Sequence, residues 1–420
     1  MFEDGDTAYL NRTRSSQSNT TGTFSVWTKM GNTGADNILF GGHTDVNNRS
    51  YIYFSDPDGY VGIFSRTSGS ADIAYNSNGR FRDPSAWYHV VVAIDTTDGT
   101  AGNRFKMYIN GTQYTDWGTA TAPSQNASLP ILNQAAQTVG GGYGSSAVSA
   151  MAEGYMADAY YIDGQQLDAS NFGETDDNGV WIPKKYLGTY GTNGFKLEFQ
   201  QTGTGTASAS TIGADTSGED NHLTSNNLAA TDVTVDTPTN NFCTWNPLIG
   251  RAAAYATFAE GNLDADFTSG SVYYRATGSI GVTSGKWYAE IKCIDDGGNT
   301  DLKIGVEHAS PDQTTIDGVH KVIQSWNGHK ASGGSASSFG DSYADGDIVG
   351  VLLDMDNGTI KFSKNGTMMA SSASAYTDLI SAMPDSGWAF FAYGYDNANV
   401  QANFGNAPFS ISSGNADANG

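Results

Sequence analysis

The chain has 420 residues, enough for two ordinary domains, with 52 glycines and only 15% charged side chains, a mixture that suits short strands and tight turns rather than long helices. Its formal charge is −23, from 44 acidic against 21 basic residues, and such a surface repels phosphate backbones and anionic lipid, which argues against nucleic acid or a membrane as partner. Two cysteines, Cys243 and Cys293, are too few for a disulfide framework or a thiolate metal site, so two separate buried thiols are expected, with one disulfide as the alternative.

The chain opens with MFEDGDTAYL, which lacks the basic and apolar regions of a secretory signal. No apolar run reaches the length of about 18 residues that a membrane-spanning helix requires. From there, period-two alternation recurs almost everywhere and helical periodicity almost nowhere. Residues 24–27, 51–54 and 61–64 read as short strands, and 87–94 (WYHVVVAI) as a buried one. Residues 105–109 and 112–115 flank Asn110-Gly111, the strongest short-range hairpin signal because both positions tolerate positive φ. A single short helical turn is expected at 168–172.

Residues 200–236 are almost all Thr, Gly, Ala, Ser, Asp and Asn, the composition of a linker or an extended strap. Beyond it the grammar repeats. Residues 286–294, 301–306, 347–353, 359–363, 388–393 and 399–404 read as strands, with turns at Asn357-Gly358 and Asn365-Gly366. A Trp-Tyr strand followed by an Asn-Gly hairpin thus occurs in both halves, AWYHVVVAID with YINGTQ and KWYAEIKCID with SKNGTM. The expectation is that each pair forms adjacent strands of one sheet. The fold class is therefore all-β: two antiparallel sandwiches, 1–200 and 245–415, joined by a linker or strap at 201–244.

The phrases FSVWTKM (24–30), AWYHVVVAIDTT (86–97), RFKMYINGTQ (104–113) and GYMADAYYIDGQQLDASNFG (154–173) resemble the LamG, concanavalin-A-like jelly-roll family. The phrases SGKWYAEIK (284–292), LKIGVE (302–307), YADGDIVGVLLDMDNGTIKFSKNG (343–366) and VQANFG (400–405) resemble the SPRY family. The tandem, with 172–199 and 236–248 between, is similar to surface proteins of tailed phages of marine bacteria. That resemblance implies a virion protein, made in the host cytoplasm without a signal peptide and exposed on the tail or capsid. It also implies a homo-oligomer, a trimer by preference, whose symmetry helps cover edge strands. Relatives carry residues ahead of the first strand, whereas Met1 stands almost in it, so a separate anchoring peptide is expected to be missing.

Chemistry is sparse. A laminarinase-like site needs closely spaced carboxylates on one strand face, and the nearest set, Glu290 with Asp295 and Asp296, puts Glu290 and Asp295 on opposite faces. Six histidines, at 43, 89, 222, 308, 320 and 329, sit in no metal or nucleophile motif. His89, inside an apolar strand, reads as a satisfied core residue. No enzyme is expected.

Binding is the better prospect, because aromatic faces hold sugar C–H surfaces while Asn and Asp fix hydroxyls. Three loop groups offer this: His43, Asp45, Asn47, Asn48 and Tyr51; Trp326, Asn327 and His329; and Tyr393, Tyr395, Asp396 and Asn397. The jelly-roll resemblance also implies a calcium ion, with Asp56 and Asp58, or Asp215, Glu219 and Asp220, as its carboxylates. The expected function is adhesion of a phage tail fibre or head fibre to host surface polysaccharide, without catalysis. The alternative is a decoration protein that binds other virion proteins and recognises no sugar.

Overall fold

The computed structural model describes residues 1–14, 20–31, 36–55, 58–133, 136–144, 147–249, 256–268, 273–298, 302–309, 320–394 and 397–406. The chain divides into two compact units, Met1–Asn241 and Phe242–Gly420. Both are built from antiparallel sheets.

In the first unit an eight-stranded sheet runs in the spatial order Trp117–Thr121, Ser70–Ser77, Val61–Thr67, Asn48–Phe54, Asn37–Asp45, Ala136–Val139, Tyr9–Thr13, Thr224–Asn226. A six-stranded sheet holds Phe195–Leu197, Gly154–Asp163, Thr21–Met30, Trp87–Asp95, Phe105–Ile109 and Thr112–Gln113. Alternate residues of each strand point to one face, and those faces supply a shared core. Ile52 and Ile63 come from the larger sheet, and Val90, Val92 and Met107 from the smaller. The short turn at Ala169–Asn171 is a 3-10 helix whose Asp168 side chain accepts from the Ser170 amide.

The Thr/Gly/Ser-rich segment packs within the first unit. Thr224–Asn226 pairs with 9–11 as an edge strand, and Ile212, Leu223 and Leu228 reach the core. Further on, Asp236 meets Lys29 at 2.8 Å with both side chains fully buried. The Lys29 ammonium also donates to Asn241 at 2.9 Å, and the Trp87 indole N–H donates to Asp236 at 3.1 Å.

In the second unit the seven-stranded sheet has the order Thr257–Ala259, Asp264–Phe267, Ala398–Asn403, Lys286–Asp295, Ile348–Asp354, Thr359–Lys364, Thr367–Met368. The six-stranded partner holds Tyr274–Thr277, Trp388–Gly394, Lys303–His308, His320–Gln324, His329–Ser332 and Ser335–Ser338. Ile291, Val349, Val351 and Phe362 pack against Ile304 and Trp388 in its core. Both cysteines are free thiols, Cys293 buried as expected and Cys243 only half-buried.

The repeated phrase has a different basis from the one its sequence suggests. In the first unit Trp87–Asp95 does lie beside Phe105–Ile109. In the second, Lys286–Asp295 is separated from Thr359–Lys364 by Ile348–Asp354. The hairpin asparagines explain this. The Asn110 side chain accepts from the His89 amide at 2.7 Å, and the Asn365 side chain accepts from the Ile348 amide at 2.8 Å. Asn110 and Gly111 have φ of 46° and 82°, and Asn365 and Gly366 have 47° and 78°, the left-handed pair a two-residue turn requires. The structural counterpart of the first Trp-Tyr strand is therefore Ile348–Asp354, not the second Trp-Tyr strand.

Candidate functional site

Ile52, Phe54, Ile63 and Ile73 face the first core, so Arg49, Tyr51, Tyr53, Phe64 and Arg66 stand on the opposite face of the eight-stranded sheet. Register places Arg49 across from both His43 and Arg66, and Tyr51 across from Phe64. The Tyr51 and Phe64 rings lie 5.4 Å apart. Arg49 sits 5.9 Å over the Tyr51 ring and Arg66 5.5 Å over Phe64. His43 stacks on Tyr143 at 4.5 Å, and burial lowers its pKa, which keeps the ring neutral. Arg49 donates to the carbonyls of Tyr143 and Gly144 at 2.6 and 2.5 Å. Among the described residues neither Arg49 nor Arg66 has a carboxylate partner, and the Nε atoms of both are buried without an acceptor. Like charges directly opposite on a sheet repel, so this face is poised for an acceptor-bearing ligand.

The loop group proposed from sequence splits. His43 and Tyr51 belong to this face. Asp45, Asn47 and Asn48 instead close a hairpin: Asp45 accepts from the Asn48 side-chain amide at 3.1 and 3.0 Å and from the backbone amides of Asn47 and Asn48 at 2.7 and 3.1 Å, and these bonds, the Asn48 side chain's first, hold its carboxyl below the usual range. Arg49, Phe64 and Arg66 were missed, although period-two spacing from Tyr51 and from Ile63 would have placed them on the outward face.

The second unit has a recessed pocket of about 330 Å³ on the outer face of its six-stranded sheet, lined by Tyr273, Lys303, His320, Gln324, Tyr393 and the hairpin around Gly334. Tyr273 stacks on Tyr393 at 4.7 Å with planes 13° apart. The Lys303 ammonium stands 5.5 and 5.3 Å from the two ring centres. Of the sequence candidates Tyr393 lines this pocket. Trp326 is exposed, while Asn327 accepts from the His329 amide at 2.8 Å in an ordinary turn. Asn397 occupies the left-handed region at φ 68°. Tyr395 and Asp396 lie outside the described residues.

Of the proposed calcium ligands, Asp215 is committed within the chain. Asp215 accepts from the amides of Lys196, Ser217 and Asn221 and from the Ser217 hydroxyl, so its lone pairs are already used. Glu219 and Asp220 are exposed. Asp58 is exposed too, and Asp56 lies outside the described residues. A different trio, Asp295, Asp296 and Asp345, brings carboxylate oxygens within 4.8 Å of one another.

One arrangement resembles a nucleophile pair. Ser25 Oγ lies 2.8 Å from His89 Nε2, and Trp181 Nε1 lies 3.0 Å from His89 Nδ1. An indole nitrogen only donates, so Nδ1 accepts and Nε2 carries the hydrogen donated to Ser25. Burial lowers the His89 pKa to about 3. The ring is a neutral, satisfied core residue with no lone pair aimed at the hydroxyl. Glu290 is buried and accepts from the Tyr288 hydroxyl at 2.7 Å, whereas Asp295 is exposed.

Residues 4–160 match the family model of the concanavalin A-like lectin/glucanases superfamily, and residues 286–406 match the SPRY domain. The SPRY half is similar to Ran-binding protein 9 of Danio rerio, 28% identical over 139 residues, covering 32% of this chain and 22% of that protein. Ran-binding protein 9 of Homo sapiens is 27% identical over the same length, covering 32% and 18%. The chain thus spans about a fifth of the length of the curated relatives it matches. Among solved structures it is similar to the SPRY domain of human HERC1, at 19% identity and TM-score 0.32, covering 38% of this chain and 98% of that one. A concanavalin-A-like domain followed by a SPRY domain is therefore present on an all-β chain.

Proposed function

We propose that this protein is a bacteriophage virion surface protein, a tail-fibre or head-fibre component, that adheres to host polysaccharide without cleaving it. The carrying observation is the arginine–aromatic face of the first unit. Tyr51 and Phe64 offer flat apolar surface to sugar C–H groups, and the half-buried Arg49 and Arg66, without a carboxylate partner among the described residues, bring guanidinium groups that suit hydroxyl or carboxylate oxygens. The match of residues 4–160 to a lectin and glucanase superfamily supports a carbohydrate ligand. The connecting segments 172–199 and 236–248 support the phage setting through their resemblance to marine phage surface proteins. The tautomer of His89 and the burial of Glu290 argue against an acid–base or nucleophilic centre at either place. Weak single sites gain avidity when an oligomer, a trimer by preference, repeats them on a particle exterior.

The test is retention of the purified chain on polysaccharide extracted from marine bacteria, with released sugar followed throughout. Wild type is expected to be retained without sugar release, and the Phe64→Ala, Arg66→Ala double variant to be retained at least tenfold less. Equal retention of both chains contradicts the site, and steady sugar release contradicts the non-catalytic reading.

One observation favours the second reading, a decoration protein that binds other virion subunits. Trp287 is 45% exposed and lines a groove of about 590 Å³ with Tyr288, Leu352, Leu353 and Lys361. The SPRY relatives are named for binding a protein. Under this reading Trp287→Ala lowers incorporation into particles, and the wild-type chain is not retained on polysaccharide.

A further inference from the structure

We infer that the recessed pocket of the second unit is a saccharide-ring site, separate from the face on which the adhesion reading rests. Register puts its main groups in one row across three strands: Gln324 opposite Lys303, and Lys303 opposite Tyr393. Tyr273, from just before the strand Tyr274–Thr277, lies flat on Tyr393 and leaves a half-exposed aromatic surface at the pocket floor. Lys303, within 5.5 Å of both ring centres, fixes that pair by cation–π attraction. The wall is a hairpin of small residues, Gly334, Ser335 and Ala336, which admits a flat ligand edge-on.

Gln324 identifies the ligand's chemistry. Its residue is 6% exposed, and its Oε1 is buried with no hydrogen-bond partner among the described residues. A buried polar atom left unpaired destabilises the fold, so a protein without a ligand here would be better served by Leu or Met. A hydroxyl satisfies this amide whichever way it is turned, because it donates to Oε1 and accepts from Nε2 alike. A peptide N–H satisfies only one of the two orientations. An aromatic floor for C–H groups with a buried amide for hydroxyls is what a pyranose ring requires. At about 330 Å³ the pocket stands at the small end of ligand sites and suits one compact ring rather than an extended chain. The neighbouring charges Arg275 and Glu307 are already paired at 2.7 Å, so no ionic group of a ligand is needed to balance them.

The test is saturation-transfer NMR on the full chain with the methyl glycosides of glucose, galactose, mannose and N-acetylglucosamine. At least one glycoside is expected to give transfer, reduced tenfold or more in Gln324→Leu and in Tyr273→Ala. Gln324→Leu should melt no lower than wild type, which separates a ligand-holding role from a structural one. In the Phe64→Ala, Arg66→Ala background, which removes any transfer arising at the adhesion face, signal should persist and still fall tenfold with Gln324→Leu, so failure of the adhesion face leaves this result standing, and the reverse also holds. Absence of transfer from all four glycosides overturns the assignment, as does a signal unchanged in Gln324→Leu. Transfer to a short asparagine-rich peptide that depends on Gln324, with none to the glycosides, overturns it in favour of a peptide site.

Discussion

Acidification should destabilise the first unit through one residue, His89. Its ring is fully buried, stacked on Trp27 at 4.6 Å and bonded at both nitrogens. Burial lowers its pKa from 6.5 to about 3. An unfolded chain binds a proton at this histidine below pH 6.5, whereas the folded chain does not until about pH 3. Between those limits the unfolded state binds more protons, so folding stability falls as pH falls. Each pH unit below 6.5 removes roughly 1.4 kcal/mol, or about 3 kcal/mol between pH 6.5 and 4.5. The assay is urea unfolding at several pH values, read by tryptophan fluorescence, for wild type and His89→Gln. The variant is less stable throughout because Ser25 and Trp181 lose a partner, but its profile should be flatter by that amount. Parallel profiles for the two proteins would refute the neutral buried ring, and with it the argument that Ser25 has no base.

Three further outcomes follow from buried contacts. Asp236→Ala removes the carboxylate that meets the fully buried Lys29 ammonium at 2.8 Å, so urea unfolding should show a loss of about 3 kcal/mol or more, while the paired change Lys29→Met with Asp236→Leu should lose less, its remaining cost being the Trp87 indole N–H left without its carboxylate acceptor. Glu307 behaves in the opposite sense to His89: burial raises its pKa from 4.5 to about 7 against the pull of Arg275 and Thr277. The folded state then binds more protons than the unfolded one between those values, so this group's contribution to second-unit stability falls as pH rises from 4.5 to 7, and Glu307→Gln should abolish that dependence. Gly111→Ala places a Cβ within 2.7 Å of the Trp181 ring at φ +82° and should cost at least about 1 kcal/mol in thermal unfolding, whereas Ala at Gly99, where nothing lies within 4 Å, should cost little.

Strands were legible in the sequence because alternation is a local property, and Asn110-Gly111 and Asn365-Gly366 mark their turns by residue type alone. Which strands lie side by side was less legible. The two Trp-Tyr strands look alike, yet the asparagine clamp pairs one hairpin with His89 and the other with Ile348, a choice made by contacts distant in sequence. The part of 200–236 that joins the first unit was hidden for a similar reason. Its few apolar anchors, Ile212, Leu223 and Leu228, are too widely spaced to show a period, and the burial of Asp236 depends on Lys29 more than 200 residues away. At the site, chemistry was sought in polar loops, so Asp45 and Asn48, which close a turn, were favoured over Arg49 and Arg66 on the strand faces. Gln324 gave no signal at all, since its significance lies in the partner its Oε1 lacks among the described residues.

The claim of glycan adhesion is tested most directly by binding of the labelled chain to whole marine bacterial cells, before and after their surface polysaccharide is stripped. Saturable binding that disappears on stripping, and that falls at least tenfold in the Phe64→Ala, Arg66→Ala variant, is the predicted result. Binding that survives stripping, or a folded chain that binds neither preparation, would contradict it.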